Sequence, residues 1–284
     1  MDLATVRRMW VATEHVHLVT YFAPEAAAAY DAAGLTGFWR GYFGGRAAPM
    51  GAVGAGAVEA TFYGFHREFV AKAVPDVWER ATPAVWITAR EQGAGNALRR
   101  VLAGLVPHGA GEVAARVDAA LRGCSPAGRT LFAANLDVAV PDEPITALWQ
   151  ACTLWREHRG DGHIAAMVDA EVDGCESHVL RLAVAGGDDA LMRAVRGWSD
   201  DDWAAAAGRL TDRGLVGAAG AATDAGRALL AEVEASTDRL ASAPVELLGA
   251  AEVDAALAVL EPIAHAVRAA MTMPEPNPIG VPAP

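Results

Sequence analysis

The spacing of apolar residues is the feature that most restricts the fold of this chain. Apolar side chains recur at three- and four-residue intervals through most of the sequence, whereas few stretches alternate between apolar and polar residues. The first pattern is typical of helices that bury one face, and the second is typical of strands. Much of the 53% apolar content is alanine, which is a strong helix former. The sequence therefore predicts a mainly α-helical protein.

Prolines, glycines and capping residues predict where the helices begin and end. We expect a first helix over residues 4–22 and a short alanine-rich helix after Pro24. Further helices are predicted over 57–73, 83–106, 111–122, 144–158, 162–172, 174–185, 188–197, 200–214, 223–242 and 250–271. The segment 126–144 is expected to be a loop with a short strand at 130–133. The proline-rich tail 274–280 is expected to extend over the surface.

Charge and cysteine content restrict the partners and the compartment. A formal net charge of -12 disfavours non-specific attraction to nucleic acid and to anionic membranes. The three cysteines are too few and too scattered for a disulfide framework or a zinc motif, so we expect them to be reduced core residues. The start of the chain lacks the apolar core of a signal peptide, and no apolar stretch is long enough to span a bilayer. We therefore expect a cytoplasmic protein without a membrane partner.

The densest group of ionisable residues is the segment 155–163, which reads WREHRGDGH. On the predicted helix 144–158 the apolar stripe continues onto Arg156 and Arg159, so these side chains should point inward. Glu157 falls on the opposite side and is expected to face solvent.

The rest of this segment has its own expectations. Asp161 is expected to cap the helix that follows, with His163 in the first turn of that helix. His158 lies on the flank of the preceding helix. Inward-pointing charges need partners, since an unpaired buried charge is costly.

Two interpretations of the segment stay open. In the structural one, Arg156 and Arg159 pair with carboxylates of the N-terminal half, and the histidines complete a hydrogen-bond network between the halves. In the functional one, the two arginines hold an anionic or carbonyl-bearing ligand. His158 or His163 would then act as general acid or base, and Asp161 would orient a histidine.

Aromatic residues beside glycines form a second candidate region in the N-terminal half. Glycines there either permit close helix packing or leave room for a ligand against the rings. The candidate ligand-binding residues are Trp39, Tyr42, Arg46 and Tyr63, together with His17 on the apolar face of the first helix. The histidine spacing matches no metal motif, so we predict no metal site. No cofactor fingerprint is present, and the cofactor is left open, haem included.

Residues 188–243 resemble the winged-helix domain of MarR-like regulators. The matching segments are Leu191–Trp198, Ser199–Trp203, Arg209–Val216 and Thr223–Leu230, with Ser199 and Asp202 placed for a capping box and Gly214 for a helix end. The whole chain also resembles an actinobacterial helix-turn-helix family with motifs like GFWRGYFGGRAAP and WREHRGDGH. These resemblances imply an architecture and do not imply a chemistry.

The resemblance leads to a two-domain prediction. We expect a helical, aromatic-rich N-terminal domain over 1–140, packed on a MarR-like domain over 141–284 with a C-terminal helix and a proline-rich tail. The candidate recognition helix opens with three aspartates, and the expected wing at 217–222 has no charge. This disfavours DNA as a partner without excluding it.

We therefore predict a cytoplasmic small-molecule-binding protein on a winged-helix-derived scaffold. A cofactor-independent acid/base enzyme using the cluster 156–163 is an extension of this prediction. The alternative is a MarR-like, ligand-responsive transcriptional regulator that binds DNA as a homodimer. A third class, a structural or partner-binding protein, would have no pocket.

Overall fold

The computed structural model describes residues 2–103, 107–271, 277 and 279–284. The helices in these ranges are α1 (Leu3–His17), α2 (Val19–Phe22), α3 (Pro24–Ala32), α4 (Phe38–Ala47), α5 (Ala55–Phe62), α6 (Arg67–Ala71), α7 (Asp76–Arg80), α8 (Pro83–Val101), α9 (Ala110–Arg122), α10 (Thr130–Leu136), α11 (Pro144–Asp169), α12 (Gly174–Ala185), α13 (Asp189–Arg196), α14 (Asp200–Asp212), α15 (Asp224–Leu240), α16 (Ala243–Leu248) and α17 (Ala250–Ala270). In the same ranges the only β pairing is a single antiparallel bridge between Val216 and Ala222. The prediction of a mainly helical protein is confirmed.

Helix α11 is the central element of the fold. It packs against α1, α8, α9, α10 and α15, and 18 of its 26 residues are buried. Two separate helices over 144–158 and 162–172 were expected here, and this prediction is wrong. The glycine pair at 160 and 162 does not end the helix. A Cβ at Gly162 would lie 2.8 Å from Arg129 Nη1, so this glycine makes room for a neighbouring side chain.

Other helix boundaries also differ from expectation. The predicted strand at 130–133 is wrong, because these residues open α10. The predicted helix 57–73 is divided into α5 and α6 by Tyr63 and the residues after it, and the helix 4–22 is divided at Leu18. Packing against residues distant in sequence stabilises helix α10 and the two helix breaks, and local helix propensity does not predict such contacts.

The proline-rich tail is only partly described. Residues 274–276 and 278 lie outside the described ranges, so the extended tail is untested there. Asn277 is 4% exposed and exchanges hydrogen bonds with Val281, which is 3% exposed. The expectation of a tail on the surface is wrong for Asn277, whose partner Val281 packs into the main core.

Helices α12 to α15 form a compact unit, called here the four-helix unit, residues 174–240. Ser199 and Asp202 form the expected capping box at the start of α14, and Gly214 follows its end with φ +69°. Cys175, Leu180, Met192 and several α14 side chains form its apolar core. The main core, in contrast, contains residues from both sides of position 140. The domain boundary at that position stays a prediction.

The four-helix unit docks on the segment between α5 and α6. The carbonyl of Gly64 accepts hydrogen bonds from Trp198 Nε1 at 3.1 Å and from the His178 ring at 2.9 Å. His66 N donates to the Arg196 carbonyl at 2.9 Å. A Cβ at Gly64 would lie 2.7 Å from His178 Nε2, so only glycine permits this approach. The contact fixes α12 and α13 against the N-terminal helices.

The cysteines are buried and free, as expected. Across the described ranges, no helix combines the length and the apolar character needed to cross a membrane.

Candidate functional site

A cavity of about 250 Å³ lies where the N-terminal helices, α11 and the four-helix unit meet. Its lining includes Trp10 and Tyr42 from the N-terminal helices and side chains from α12, α13 and α15. We call it the arginine-lined cavity after its five arginines, which are Arg46, Arg156, Arg159, Arg181 and Arg196. It is the place in the described structure where most of the predicted site residues come together.

Six of the predicted site residues line this cavity and four do not. Those that line it are Tyr42, Arg46, Tyr63, Arg156, Arg159 and His163. Those that lie elsewhere are His17, Trp39, His158 and Asp161. The ligand-binding and catalytic roles of all ten stay predictions. All three predicted arginines line the cavity, whereas only His163 of the three acid/base candidates does.

Glu157 is the anion that holds two of the arginines. It accepts hydrogen bonds from Arg46 Nε and Nη2, both at 3.1 Å, and from Arg156 Nη1 at 2.7 Å. Glu157 is 1% exposed, so the expectation that it faces solvent is wrong. Burial alone would raise the pKa of Glu157, but Arg156 and Arg46 outweigh burial and hold the pKa below its ordinary value. The three side chains form a buried charged cluster with one excess positive charge.

A second cluster surrounds Arg159. Its Nη2 lies 3.1 Å from Glu234 Oε2 and 3.3 Å from Asp238 Oδ1, and Arg7 Nη2 donates to Asp238 at 2.6 Å. The Arg159 guanidinium also stacks over the Trp10 ring at 3.8 Å from its centroid. The structural interpretation expected the acidic partners of Arg159 in the N-terminal half. They come from α15 instead.

Arg156 does meet the N-terminal half. Its Nε lies 3.5 Å from Glu14 on α1, which is itself 6% exposed. Part of the expected network between the two halves is therefore present. The arginines are positioned by carboxylates on three different elements, α1, α11 and α15.

His163 is the histidine of the segment that reaches the cavity. Its Nδ1 lies 2.9 Å from Thr237 Oγ1, and burial lowers the pKa of the ring. It stands within α11, so its expected place in the first turn of a new helix is wrong. A neutral imidazole with one free ring nitrogen can donate or accept a proton at the cavity wall.

His158 and Asp161 face the core beside α10. The His158 ring packs edge-on against Phe132 with 4.9 Å between centroids. Asp161 Oδ2 accepts the backbone N–H of Phe132 at 2.9 Å. Asp161 therefore caps the first turn of α10 across a tertiary contact, and the prediction that it caps its own following helix is wrong. Neither side chain is part of the cavity wall.

His17 and Trp39 also have structural surroundings. His17 is fully enclosed and bonded to Thr153 Oγ1 and Tyr21 Oη, each at 3.0 Å. Trp39 packs among aromatic rings, the nearest being Phe69 at 4.9 Å between centroids. A Cβ at Gly44 would lie 2.9 Å from the Trp86 ring, so this glycine serves close packing.

The buried histidines predict how stability depends on pH. Burial lowers the pKa of His158 and of His178 to about 3. The unfolded chain takes up these protons near pH 6.5 and the folded chain does not, so stability is complete above pH 6.5 and is lost as the pH falls toward 3. Burial raises the pKa of Asp161 to about 6, which has the opposite sign: its contribution is complete below pH 3.8 and is lost as the pH rises through 6.

We expect the free energy of unfolding to fall as the pH is lowered from 6.5 to 4, because the stability lost through the two histidines exceeds the stability gained through the one carboxyl group. Replacing His158 with Phe removes one titrating group and reduces the slope by up to about 1.4 kcal/mol per pH unit. Urea unfolding at several pH values measures both slopes, with His108→Phe, at an exposed position, as the control. An unchanged slope in the His158 variant would contradict the assignment.

The structure adds site residues that the sequence did not reveal. Arg181 on α12, Arg196 at the end of α13 and Glu14 on α1 all line the cavity. Each stands alone in the sequence, without a motif or a spacing that marks it. The docking of the four-helix unit brings the two arginines beside α11, and the packing of α1 on α11 brings Glu14 there.

Two arginines at the end of α14 have partners within the chain. Arg209 donates to Glu176 at 2.7 Å and to Asp173 at 2.5 Å. Arg213 donates to the carbonyls of residues 170 and 171. At the opposite end of α14, Asp200 and Asp201 are exposed. The solvent face of α14 is therefore acidic at the start of the helix, and the arginines at its end are hydrogen-bonded to groups of the same chain.

Comparison with known proteins gives one match. The model of a helix-turn-helix family matches residues 6–274. No curated protein and no solved structure matches the chain. The family match includes most of the N-terminal helices, the four-helix unit and all the arginines of the cavity lining.

Proposed function

The chain belongs to this helix-turn-helix family, and on that premise we propose that it is a ligand-responsive transcriptional regulator. The four-helix unit would bind DNA, and the arginine-lined cavity would bind the small molecule that controls it. Family membership supports this regulator alternative more than the enzyme interpretation drawn from the segment 155–163.

In this proposal α13 and α14 are the helix-turn-helix and α14 is the recognition helix. The turn between them contains Gly197 with φ +78°, followed by the Ser199 cap. The bridge between Val216 and Ala222 closes a short hairpin in the position of a wing. These features support a winged helix of the MarR-like type, whose second helix enters the major groove.

One observation carries the regulatory part of the proposal. The cavity is lined both by α11 and by Arg181 of α12 and Arg196 of α13. A ligand held there contacts the elements that precede the recognition helix. Differential binding to two positions of the four-helix unit would shift the population between them.

Fluorescence anisotropy with the DNA upstream of the protein's own gene tests this function. We expect binding at least about a thousandfold tighter than to a scrambled duplex, weakening steeply as salt rises. A homodimer on a palindromic site is expected, and light scattering of the complex measures its stoichiometry.

Variants separate DNA contact from fold. Arg209→Ala and Arg213→Ala are expected to weaken DNA binding and to lower the salt slope by about one each. Arg239→Ala on α15, an exposed arginine paired with Glu232, is the matched control. Because Arg209 also bonds Glu176, thermal unfolding of each variant is measured in parallel. Equal binding to the upstream and scrambled duplexes would contradict the proposal.

A second candidate function rests on the acidic start of α14. Asp200 and Asp201 would face phosphate, and the turn 217–222 offers no cation. In this candidate the four-helix unit is a scaffold, and the protein only binds the small molecule. Ligand binding by native mass spectrometry together with absent specific DNA binding would favour it over the regulator.

A further inference from the structure

A second cavity lies between α5 and α14, so that it touches the proposed recognition helix directly. Its volume is about 450 Å³, and cavities of this size hold small organic molecules. Three aromatic rings and three carboxylates contribute to its lining, and we call it the aromatic-acidic cavity after them. They are Tyr63, Phe65, Trp198, Glu59, Asp173 and Asp202.

Two of the three carboxylates have no close cation among the described residues. Asp202 accepts hydrogen bonds only from Ser199, through one oxygen, Oδ2. The His66 ring acts on Asp202 electrostatically but lies beyond ion-pair distance. Glu59 meets only the Nε of Arg67, at 3.9 Å, and the Arg67 side chain is 74% exposed. Both carboxylates therefore keep acceptor capacity for a ligand.

The arginine in the lining does not neutralise this acidic wall. Arg209 Nη2 donates to Asp173 at 2.5 Å and Arg209 Nε donates to Glu176 at 2.7 Å, so two carboxylates already share its charge. Neutral acids in the wall report the sign of the local field. Burial, followed by Asp173 and Glu176, raises the pKa of Tyr63. Burial and then Asp173 raise the pKa of Cys175 to about 12, and Arg209 opposes only part of this rise. The field at the wall is therefore negative and favours a cation.

Two of the rings offer faces to such a cation. Trp198 Nε1 donates to the Gly64 carbonyl at 3.1 Å, which fixes the position of the indole. Phe65 already carries the Arg196 guanidinium, 4.5 Å from its ring centroid. Among the described residues, no arginine or lysine stacks on Trp198 or Tyr63. The faces of tryptophan and tyrosine attract ammonium groups, so this wall suits an organic cation.

Backbone strain is present in the same wall. Tyr63 has φ +58° and ψ -56°, and Gly64 N donates to the Phe62 carbonyl at 2.7 Å, which closes a γ-turn of the rare, strained kind. The Tyr63 hydroxyl donates to the Val172 carbonyl, and a Cβ at Gly174 would clash with the Tyr63 carbonyl. Strain of this kind persists where the surroundings hold it, and it is common at ligand sites.

We propose that the aromatic-acidic cavity binds a small organic cation, an ammonium compound with an aromatic or alkyl body. Its charge would lie at Asp202 and Glu59, and its body would lie against Trp198 and Tyr63. Since Glu59 stands on α5 and Asp202 on α14, the ligand bridges the N-terminal helices to the proposed recognition helix. This site is separate from the arginine-lined cavity, and the binding itself does not depend on DNA.

Isothermal titration of the full chain at physiological salt tests the ligand class. The probes are phenethylamine and benzyltrimethylammonium, with 2-phenylethanol as the neutral control and 3-phenylpropionate as the anion. We expect at least one cation to bind one to one and at least about tenfold more tightly than 2-phenylethanol. The anion should not bind, and the cation affinity should fall as salt rises.

The two cations divide the recognition between its parts. Binding of phenethylamine alone would show that hydrogen bonds to the carboxylates are required, whereas binding of benzyltrimethylammonium would show that charge and rings suffice. Equal affinity for the cations and for 2-phenylethanol, or no binding of either cation, would overturn the proposal.

The matched variants are Asp202→Asn and Asp201→Asn. Asp201 is exposed in the same turn of α14 and does not line the cavity, so its loss corrects for the general attraction of a chain of charge -12 for cations. Asparagine keeps an oxygen that can accept from Ser199, so the two unfolding temperatures should agree. We expect cation affinity to fall at least about fivefold in Asp202→Asn and to stay within about twofold in Asp201→Asn.

Glu59→Gln is the second variant, on the opposite helix. A loss of affinity in only one of Asp202→Asn and Glu59→Gln would assign the carboxylate that meets the ammonium group. Unchanged cation affinity in both folded variants would overturn the site.

Two further variants locate the cation, because Tyr63 and Phe65 also line the arginine-lined cavity. Arg181→Gln changes that other cavity, and Arg193→Gln on α13 changes neither lining. Both should keep the parent cation affinity, and a loss confined to Arg181→Gln would overturn the site. Cation binding without specific DNA binding would sustain this inference and defeat the regulator, and the reverse pattern would do the opposite.

Discussion

Replacing Glu157 with alanine is expected to lower the free energy of unfolding by about 3–5 kcal/mol, among the largest losses any single substitution here would give. The Glu157 carboxylate pairs with Arg46 and Arg156, and Glu157 is only 1% exposed. Its removal leaves the buried Arg46 guanidinium without this anion and leaves Arg156 with only Glu14, at 3.5 Å. Urea unfolding at neutral pH measures the loss.

The control for this substitution is Glu232→Ala. Glu232 pairs with Arg239 on the surface, with a side chain 67% exposed, so its loss should stay within about 0.5 kcal/mol. A loss below about 1 kcal/mol for Glu157→Ala would mean that the arginines have other acceptors. That result would contradict the cluster as described.

The whole cluster can also be replaced at once. Arg46→Met, Arg156→Met and Glu157→Leu combined should regain most of the lost stability, because an apolar replacement carries no desolvation cost. The same triple variant should lose binding of phenyl phosphate, a small dianion that serves as the anionic probe of the arginine-lined cavity. Stability without binding would separate a ligand site from a structural network, which were the two interpretations of the sequence.

Replacing Asp238 with asparagine is expected to act in opposite directions on stability and on binding. Asp238 accepts from Arg7 at 2.6 Å and from Arg159 at 3.3 Å, so losing its charge should cost about 1.5–3 kcal/mol. The same change adds one positive charge to the site behind Arg159. We expect dianion affinity to rise on the order of tenfold at low salt. Thermal unfolding and isothermal titration measure the two effects.

Asp224→Asn is the control on the same helix. Asp224 is exposed at the start of α15 and does not line the cavity, so the stability and the dianion affinity of this variant should stay near the parent values. Reduced dianion affinity in the Asp238 variant would contradict the electrostatic account, because it would indicate that binding needs the intact network around Arg159 and not the positive charge of Arg159.

The parts of the fold that were predictable are those stabilised locally. Helix α12 begins and ends where the sequence indicated, and the Ser199 capping box stands as expected. Both depend on hydrogen bonds within a few residues. Capping residues and amphipathic spacing report such contacts directly.

The errors concern elements that are enclosed on all sides. An amphipathic pattern assigns one face to solvent, but α11 lies at the centre and buries residues around its whole circumference. Glu157 was therefore placed in water when it lies in a charged cluster. The run Gly160-Asp161-Gly162 resembles a helix end, yet it continues the helix because Asp161 bonds Phe132 and Gly162 admits Arg129.

The candidate site was half predictable for a related reason. Arg156 and Arg159 could be directed inward from helical spacing alone, since they continue an apolar stripe. Arg181 and Arg196 could not, because their place beside α11 depends on the docking of the four-helix unit at Gly64. The partner that sequence reasoning sought for the inward arginines Arg156 and Arg159 is a set of carboxylates on three elements, α1, α11 and α15.

The most direct test of the central claim is the affinity for upstream DNA with and without a saturating dianion. Coupling between a ligand site and a DNA site amounts to about 5–150-fold in affinity when a two-state element links them. The account predicts at least a fivefold change in DNA affinity on adding the dianion that binds, abolished in Arg181→Gln and retained in Arg193→Gln. An unchanged DNA affinity at saturating dianion would contradict the claim that the cavity controls the four-helix unit.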